Sequence, residues 1–303
     1  MKSVQERIRE LKEKKNAVIL AHNYQLPEVQ EVADFVGDSL GLSIAAQKTP
    51  ADIIVFCGVY FMAETAKILS PYKKVLIPDP EAGCPMADML PLEELRKLRA
   101  RYPQARVLCY VNTHAVVKAE CDLVCTSANA PQVVERGFAP GEDIIFVPDQ
   151  YLAQYVAAKL QRTFILFPGY CPVHVAITEN HILEAKAQHP EALVLAHPEC
   201  RPEVLRHADQ VLSTEGMCRY VKTSPHREFI VATEVGIIPR MEKENPGKRF
   251  FPAFSGAICE NMKRTTLEKV LVSLEEEIHE VTLPQEVIEK ARRAIERMLE
   301  LSR

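Results

Sequence analysis

A threefold internal repeat constrains the fold of this 303-residue chain more than any other feature. The cysteine loop Gly83-Cys84-Pro85-Met86 returns as Tyr170-Cys171-Pro172-Val173 and as Ala257-Ile258-Cys259-Glu260; Cys84 to Cys171 is 87 positions and Cys171 to Cys259 is 88. Each cysteine follows a matching anchor: Leu20-Ala21-His22-Asn23, Cys109-Tyr110-Val111-Asn112 or Leu195-Ala196-His197-Pro198. The distances from His22, Tyr110 and His197 to their cysteines are 62, 61 and 62. An aspartate follows each anchor by 12 positions (Asp34, Asp122, Asp209) and a hydroxyl residue by 17 (Ser39, Ser127, Thr214). Such units are structural modules whose equivalent positions meet around a common axis. Three units that each end in one cysteine suit closed three-fold packing with converging cysteines. The units are expected at 1–87 with an N-terminal helix, 88–174, and 175–303 with C-terminal helices.

Within each unit the hydrophobic pattern alternates between short apolar runs and helical stretches. Strands are predicted over 17–21, 35–36, 53–56 and 75–77, then 106–108, 123–124, 144–147 and 164–167, then 193–195, 211–212, 229–232 and 249–251. Helices are predicted over 27–33, 40–47 and 61–69, with connecting helices at 92–101 and 178–188 and two closing helices at 266–277 and 284–301. Ser3 and Glu6 have capping-box spacing at the head of an amphipathic cover helix. The fold class is therefore α/β with parallel sheets, whose ligand sites lie beyond the carboxyl ends of the strands. His22, Tyr110 and His197 sit at those ends. Ser39, Ser127 and Thr214 are expected as N-cap hydroxyls of the following helices, where free amides make anion sites.

A formal charge of −4 and a pI near 6.2 give no basic footprint for nucleic acid. The longest apolar run, 53–63, is too short to span a bilayer, and the charged N-terminus lacks a signal-peptide pattern. A cytoplasmic protein without membrane contact is expected. In a reducing compartment nine cysteines point to metal or redox chemistry rather than to a disulfide scaffold.

Cys84, Cys171 and Cys259, in Gly/Pro-containing loops at one repeated position, are read as metal ligands; thiolates favour an iron–sulfur cluster or zinc. Cys57 and Cys109 read as core residues, and a redox pairing of Cys121 with Cys125 is the weaker reading of that spacing. His22 and His197 are substrate contacts by their equivalent placement, with Glu199 as a general base. Glu64 and Glu234 read as charges bordering apolar runs. No Gly-x-Gly-x-x-Gly follows a strand and no Gly-Lys-Ser/Thr loop occurs, so nucleotide cofactors gain no support.

His22-Asn23-Tyr24-Gln25, Ala33-Asp34-Phe35-Val36-Gly37-Asp38-Ser39, Tyr110-Val111-Asn112, Cys125-Thr126-Ser127-Ala128-Asn129-Ala130, Pro168-Gly169-Tyr170-Cys171-Pro172-Val173-His174 and His197-Pro198-Glu199-Cys200 together resemble quinolinate synthases over about residues 16–270. The resemblance implies three pseudo-three-fold-related, three-layer α/β domains around one central 4Fe–4S cluster held by Cys84, Cys171 and Cys259. It implies condensation of iminoaspartate with dihydroxyacetone phosphate to quinolinate, with loss of phosphate and water, in de novo NAD synthesis. The open iron of the cluster would act as a Lewis acid. Carried over by position, substrate contacts are His22, Ser39, Tyr110, Val111, Asn112, Ser127, His197, Glu199 and Thr214, and the catalytic groups are Tyr24, Glu199 and His197. Iminoaspartate would come from a partner oxidase or dehydrogenase, and the protein would be a monomer or homodimer. Glu215 departs from the pattern by placing a negative charge beside the anion site at Thr214.

Overall fold

In a computed structural model, which describes residues 2–303, the three units form three four-stranded, all-parallel sheets. The first holds β1 (Ala17–His22), β2 (Phe35–Gly37), β3 (Ile53–Cys57) and β4 (Lys74–Leu76). The second holds β5 (Arg106–Tyr110), β6 (Leu123–Cys125), β7 (Ile144–Val147) and β8 (Ile165–Leu166). The third holds β9 (Leu193–Ala196), β10 (Gln210–Val211), β11 (Glu228–Ala232) and β12 (Arg249–Pro252). Strand order is β2-β1-β3-β4, β6-β5-β7-β8 and β10-β9-β11-β12, one topology used three times. Register repeats as well, with Leu20 opposite Phe35, Leu108 opposite Leu123 and Leu195 opposite Gln210. Central strands such as β3 and β7 are buried along their whole length, because helices cover both faces of a parallel sheet.

The repeated aspartate belongs to this frame. Asp34 accepts the Ile19 N–H at 2.8 Å, Asp122 the Val107 N–H at 2.7 Å and Asp209 the Val194 N–H at 2.8 Å. In return the aspartate N–H groups donate to the Ile19, Val107 and Val194 carbonyls. Each unit thus clamps the entry to its second strand onto its first.

The repeated hydroxyl residues are not the N-caps that their spacing predicts. Asp38 and Ser213 are the caps, accepting N–H groups from Gly41 at 2.9 Å and Gly216 at 3.2 Å, and Ser39 and Thr214 are the first helical residues. In the second unit the helix begins only at Ala130. Asn129 Oδ1 there accepts the Thr126 N–H at 2.6 Å, so Ser127 lies in the preceding turn. Asp38-Ser39 and Ser213-Thr214 each offer two capping residues in succession, and the first is the one left in extended conformation.

The closing helices return to the other units. Leu267–Glu276 packs on the first helix, Val4–Lys14, and on β3. Gln285–Leu301 lays a stripe of Ile288, Ala291, Ile295 and Met298 against β6 and against helix Tyr60–Leu69, tying the first two units together. Among the described residues no helix is long and apolar enough to cross a membrane.

Candidate active site

Each repeated cysteine, in extended conformation, stands immediately before a single helical turn: Cys84 before Pro85–Asp88, Cys171 before Pro172–Val175 and Cys259 before Glu260–Lys263. The three loops are pinned alike. The N–H groups of Tyr60, Gln150 and Val235 donate to the carbonyls of Ala82, Gly169 and Ala257 at 2.7, 2.9 and 3.0 Å, each two residues ahead of its cysteine. Amides of the following turn, at Met86 and Ala87, His174, and Met262 and Asn261, point at the sulfurs and favour thiolates. Burial opposes them and dominates, pushing the Cys84 thiol up to about 12 and raising Cys171 and Cys259. Mutual repulsion adds to it, since Cys171 feels both Cys84 and Cys259. Three half-buried sulfurs in amide-lined loops become thiolates together only around a positive group, which is the chemistry of a metal centre.

The three cysteines open on one cavity of about 260 Å³ that is also lined by His22, Tyr24, Ser39, Tyr110, Asn112, Ser127, His197, Glu199 and Thr214. Val111 alone of the sequence-derived set is off the wall, buried in the core behind Tyr110. Residues at the strand ends of all three sheets therefore converge, as the anchors predict.

The two anchor histidines are held identically. His22 Nδ1 accepts the Tyr24 N–H at 3.2 Å, and His197 Nδ1 accepts the Glu199 N–H at 3.4 Å. With Nδ1 an acceptor, the proton of the neutral ring sits on Nε2, and His197 Nε2 lies 3.2 Å from Ser127 Oγ. Burial first, then Lys263 for His22 and His174 for His197, depresses both imidazoles to about 3, so both are neutral donors at pH 7.

Glu199 is buried beside them. Burial alone would raise its carboxyl, but His174 and His197, with the Tyr110 hydroxyl donating to Oε1, hold it at about 2. Its other oxygen lies 2.8 Å from His174 Nδ1. His174 stacks on His197 with centroids 4.5 Å apart, and its Nε2 lies 2.8 Å from Thr233 Oγ1, which also meets the Tyr24 hydroxyl. Burial, followed by the Glu199 charge, drives the Tyr24 and Tyr110 phenols well above their usual range, so both keep their protons. The cavity thus presents an ionised carboxylate among phenol, imidazole and hydroxyl donors, with helix N-termini at Ser39 and Thr214: a lining for small anionic molecules.

Sequence reasoning missed several of these groups. His174 stands three residues after Cys171, where the other units have Ala87 and Met262, so no repeat marks it. It also forms, with Cys171 and Glu199, a set of ligand atoms within 4.8 Å of one another. Glu234 is more than a charge bordering an apolar run: fully buried, it accepts N–H groups from Gly236 at 2.7 Å and Cys259 at 3.1 Å and pairs with Lys263 at 2.9 Å. Asp149, at the same place in the second unit, faces the Cys171 amide. Glu64 is likewise buried, accepting the Ala115 N–H at 2.9 Å. Cys121 and Cys125 are both free thiols, and Cys121 Sγ donates to the Val117 carbonyl at 3.1 Å. The charge of Glu215 beside Thr214 is met by Arg240 at 2.9 Å.

Three parallel-sheet units whose cysteines share a cavity with acid–base groups define an α/β enzyme with a candidate metal centre. A profile of the family described as "NadA: Quinolinate synthetase A protein" matches residues 6–300. The chain belongs to that family. It is 53% identical over 299 residues to the quinolinate synthase of Dehalococcoides mccartyi, covering 99% of this chain and 98% of that one. It is 54% identical over 298 residues to that of Methanoregula boonei, with 98% of each covered. It is 52% identical over 297 residues to that of Thermodesulfovibrio yellowstonii, covering 98% and 97%.

Proposed function

We propose that this enzyme makes quinolinate from iminoaspartate and dihydroxyacetone phosphate, releasing phosphate and water, as a cytoplasmic step of de novo NAD synthesis. The observation that carries the reading is the opening of three repeat-equivalent cysteines, in a chain of this family, onto the cavity that gathers the polar strand-end residues. Cys84, Cys171 and Cys259 would hold one 4Fe–4S cluster; three half-buried thiols with backbone amides aimed at their sulfurs fit that donor set. When bound, the cluster supplies an iron without a protein ligand, a Lewis acid toward a substrate carboxylate or hydroxyl.

The remaining chemistry falls to the chain. His22 and His197 donate from Nε2, and Ser39, Ser127, Asn112 and Thr214 hold the carboxylates and the phosphate. Val111 only backs Tyr110. Glu199, ionised and between two histidines, takes protons during isomerisation and ring closure, with His197 assisting. Tyr24, which keeps its phenolic proton, gives one to a departing oxygen. Iminoaspartate is unstable and must come from an oxidase or dehydrogenase; a monomer or homodimer suffices, because one chain builds the whole cavity.

The test is iron and sulfide analysis of anaerobically prepared protein beside Cys84→Ser, Cys171→Ser and Cys259→Ser, with each assayed for quinolinate. The expected result is about four irons and four sulfides per chain, lost together with activity in each variant. Zinc in place of iron, or a cluster indifferent to these changes, would overturn the reading.

A further inference from the structure

We propose that Asn23 and Arg240 are positioning residues that fix the Thr214 hydroxyl as a donor into the cavity and so commit that end of the site to an oxyanion. The inference rests on Thr214 being in the substrate site, as argued above. Asn23 follows β1 and is fully buried. Its backbone N–H donates to the Gly37 carbonyl at 3.0 Å and its carbonyl accepts from Gln30 at 3.2 Å, so only the side-chain amide is left to choose a direction. One face of that amide meets the Arg240 guanidinium, the other Thr214 Oγ1 at 2.8 Å. A guanidinium has donors only, so the atom against it must be Oδ1. Nδ2 is then turned to Thr214 and donates to its oxygen.

The consequence falls on the hydroxyl hydrogen. Thr214 is buried and lines the cavity, and no acceptor among the described residues takes its hydrogen. With one lone pair filled by Asn23, the hydroxyl donates outward. The N–H groups of Thr214 and Glu215, first in a ten-residue helix, add donors at the same end. Arg240 is itself fixed by Glu215 at 2.9 Å and Glu244 at 2.7 Å, so the carboxylate that seemed to oppose an anion instead holds the group that orients the donor. Donors without a matching acceptor select a phosphate or carboxylate over a neutral carbonyl or hydroxyl.

The experiment compares the cluster-loaded wild-type enzyme with Asn23→Asp, in which both side-chain oxygens accept and the Thr214 hydrogen turns away from the cavity. The second variant is Arg240→Met with Glu215→Gln, which frees the amide to flip while removing both charges together. Thr214→Val is the calibrator. Inorganic phosphate and succinate are the calorimetric probes. KM and kcat are measured both for dihydroxyacetone phosphate and for iminoaspartate generated in situ, the KM that rises being that of the substrate whose probe is weakened. The first two variants should weaken one probe and raise KM about ten- to a hundredfold, as expected for one lost bond to an anion, with kcat nearly unchanged. Whichever probe is weakened identifies the oxyanion. The effect should persist at high salt, where a purely coulombic one would be screened. Thermal melts check folding, and Arg240→Lys should restore part of the affinity. If Thr214→Val weakens binding but neither of the other variants does, or if salt abolishes the effect, the positioning role is overturned and the proposed function stands. If Thr214→Val leaves KM and both probes unchanged, the placement of Thr214 in the substrate site fails, and this inference with it.

Discussion

Replacing Asp34, Asp122 or Asp209 by Ala separates frame from site, because these residues recur as regularly as the cysteines yet bond to strand backbone and do not line the cavity. Each removes a carboxylate acceptor from one strand N–H at 2.7–2.8 Å. A hydrogen bond to a charged group contributes about 1.5–3 kcal/mol. The Asp34 and Asp122 side chains are 33% and 31% exposed, so water can replace part of the lost bond and the cost falls to roughly 1–2 kcal/mol. Asp34 should cost most, since it also pairs with Lys12 at 2.6 Å, a partly exposed ion pair that adds a few tenths of a kcal/mol. At ~2.1 cal/mol/K per residue, unfolding 303 residues carries an entropy of roughly 0.6 kcal/mol/K, so each variant should melt about 2–3 °C lower. Asp→Asn keeps an acceptor and should lose less. The assay is thermal unfolding by circular dichroism, paired with quinolinate formation well below the transition. Unchanged melting with lost turnover would refute the reasoning and move these aspartates into the site.

Gly169→Ala places a Cβ 2.5 Å from the Pro148 carbonyl oxygen, so the Cys171 loop must shift; bound iron should fall while far-ultraviolet dichroism stays native. Retained iron would show the loop to be pliable. Glu199→Gln should leave substrate affinity close to wild type and lower kcat by about a hundredfold, the scale of a lost general base; unchanged turnover removes Glu199 from proton transfer. His22 and His197, depressed to about 3 in the folded chain, take up protons below the usual 6.5 only on unfolding. Stability should therefore fall as pH drops below about 6.5, by roughly 1.4 kcal/mol per pH unit for each histidine. Glu199, held at about 2, keeps its contribution until pH falls below the ordinary carboxylate range, so it does not act in this window. His114, raised by its bond with Glu64, works in the opposite sense, so the comparison that isolates the effect is with His197→Gln. That variant should show about half the slope between pH 6.5 and 5.5; an unaltered slope would mean that His197 is not held neutral.

The repeat was legible because equal spacing in one chain reports equal geometry. From it follow the three sheets, the strand ends at His22, Tyr110 and His197, and the shared loop position of Cys84, Cys171 and Cys259. Apolar runs placed nearly every strand within one or two residues, since burial on both faces of a parallel sheet leaves a continuous hydrophobic signature. The choice of cap was less legible. Asp38 and Ser39, like Ser213 and Thr214, are both good capping residues, and only backbone conformation decides between them.

What the sequence by itself determined is the unit: its alternating strands and helices, its recurring aspartate and the residue types at its carboxyl edge, all of them local patterns. Tertiary structure alone decided which groups from different units meet. His174 reaches Glu199 and Thr233, and Arg240 reaches Asn23 across 217 positions. None of these contacts is repeated from unit to unit, so no period could announce them. Their hydrogen-bond directions depend on which atom of one unit faces which atom of another once the units have packed together.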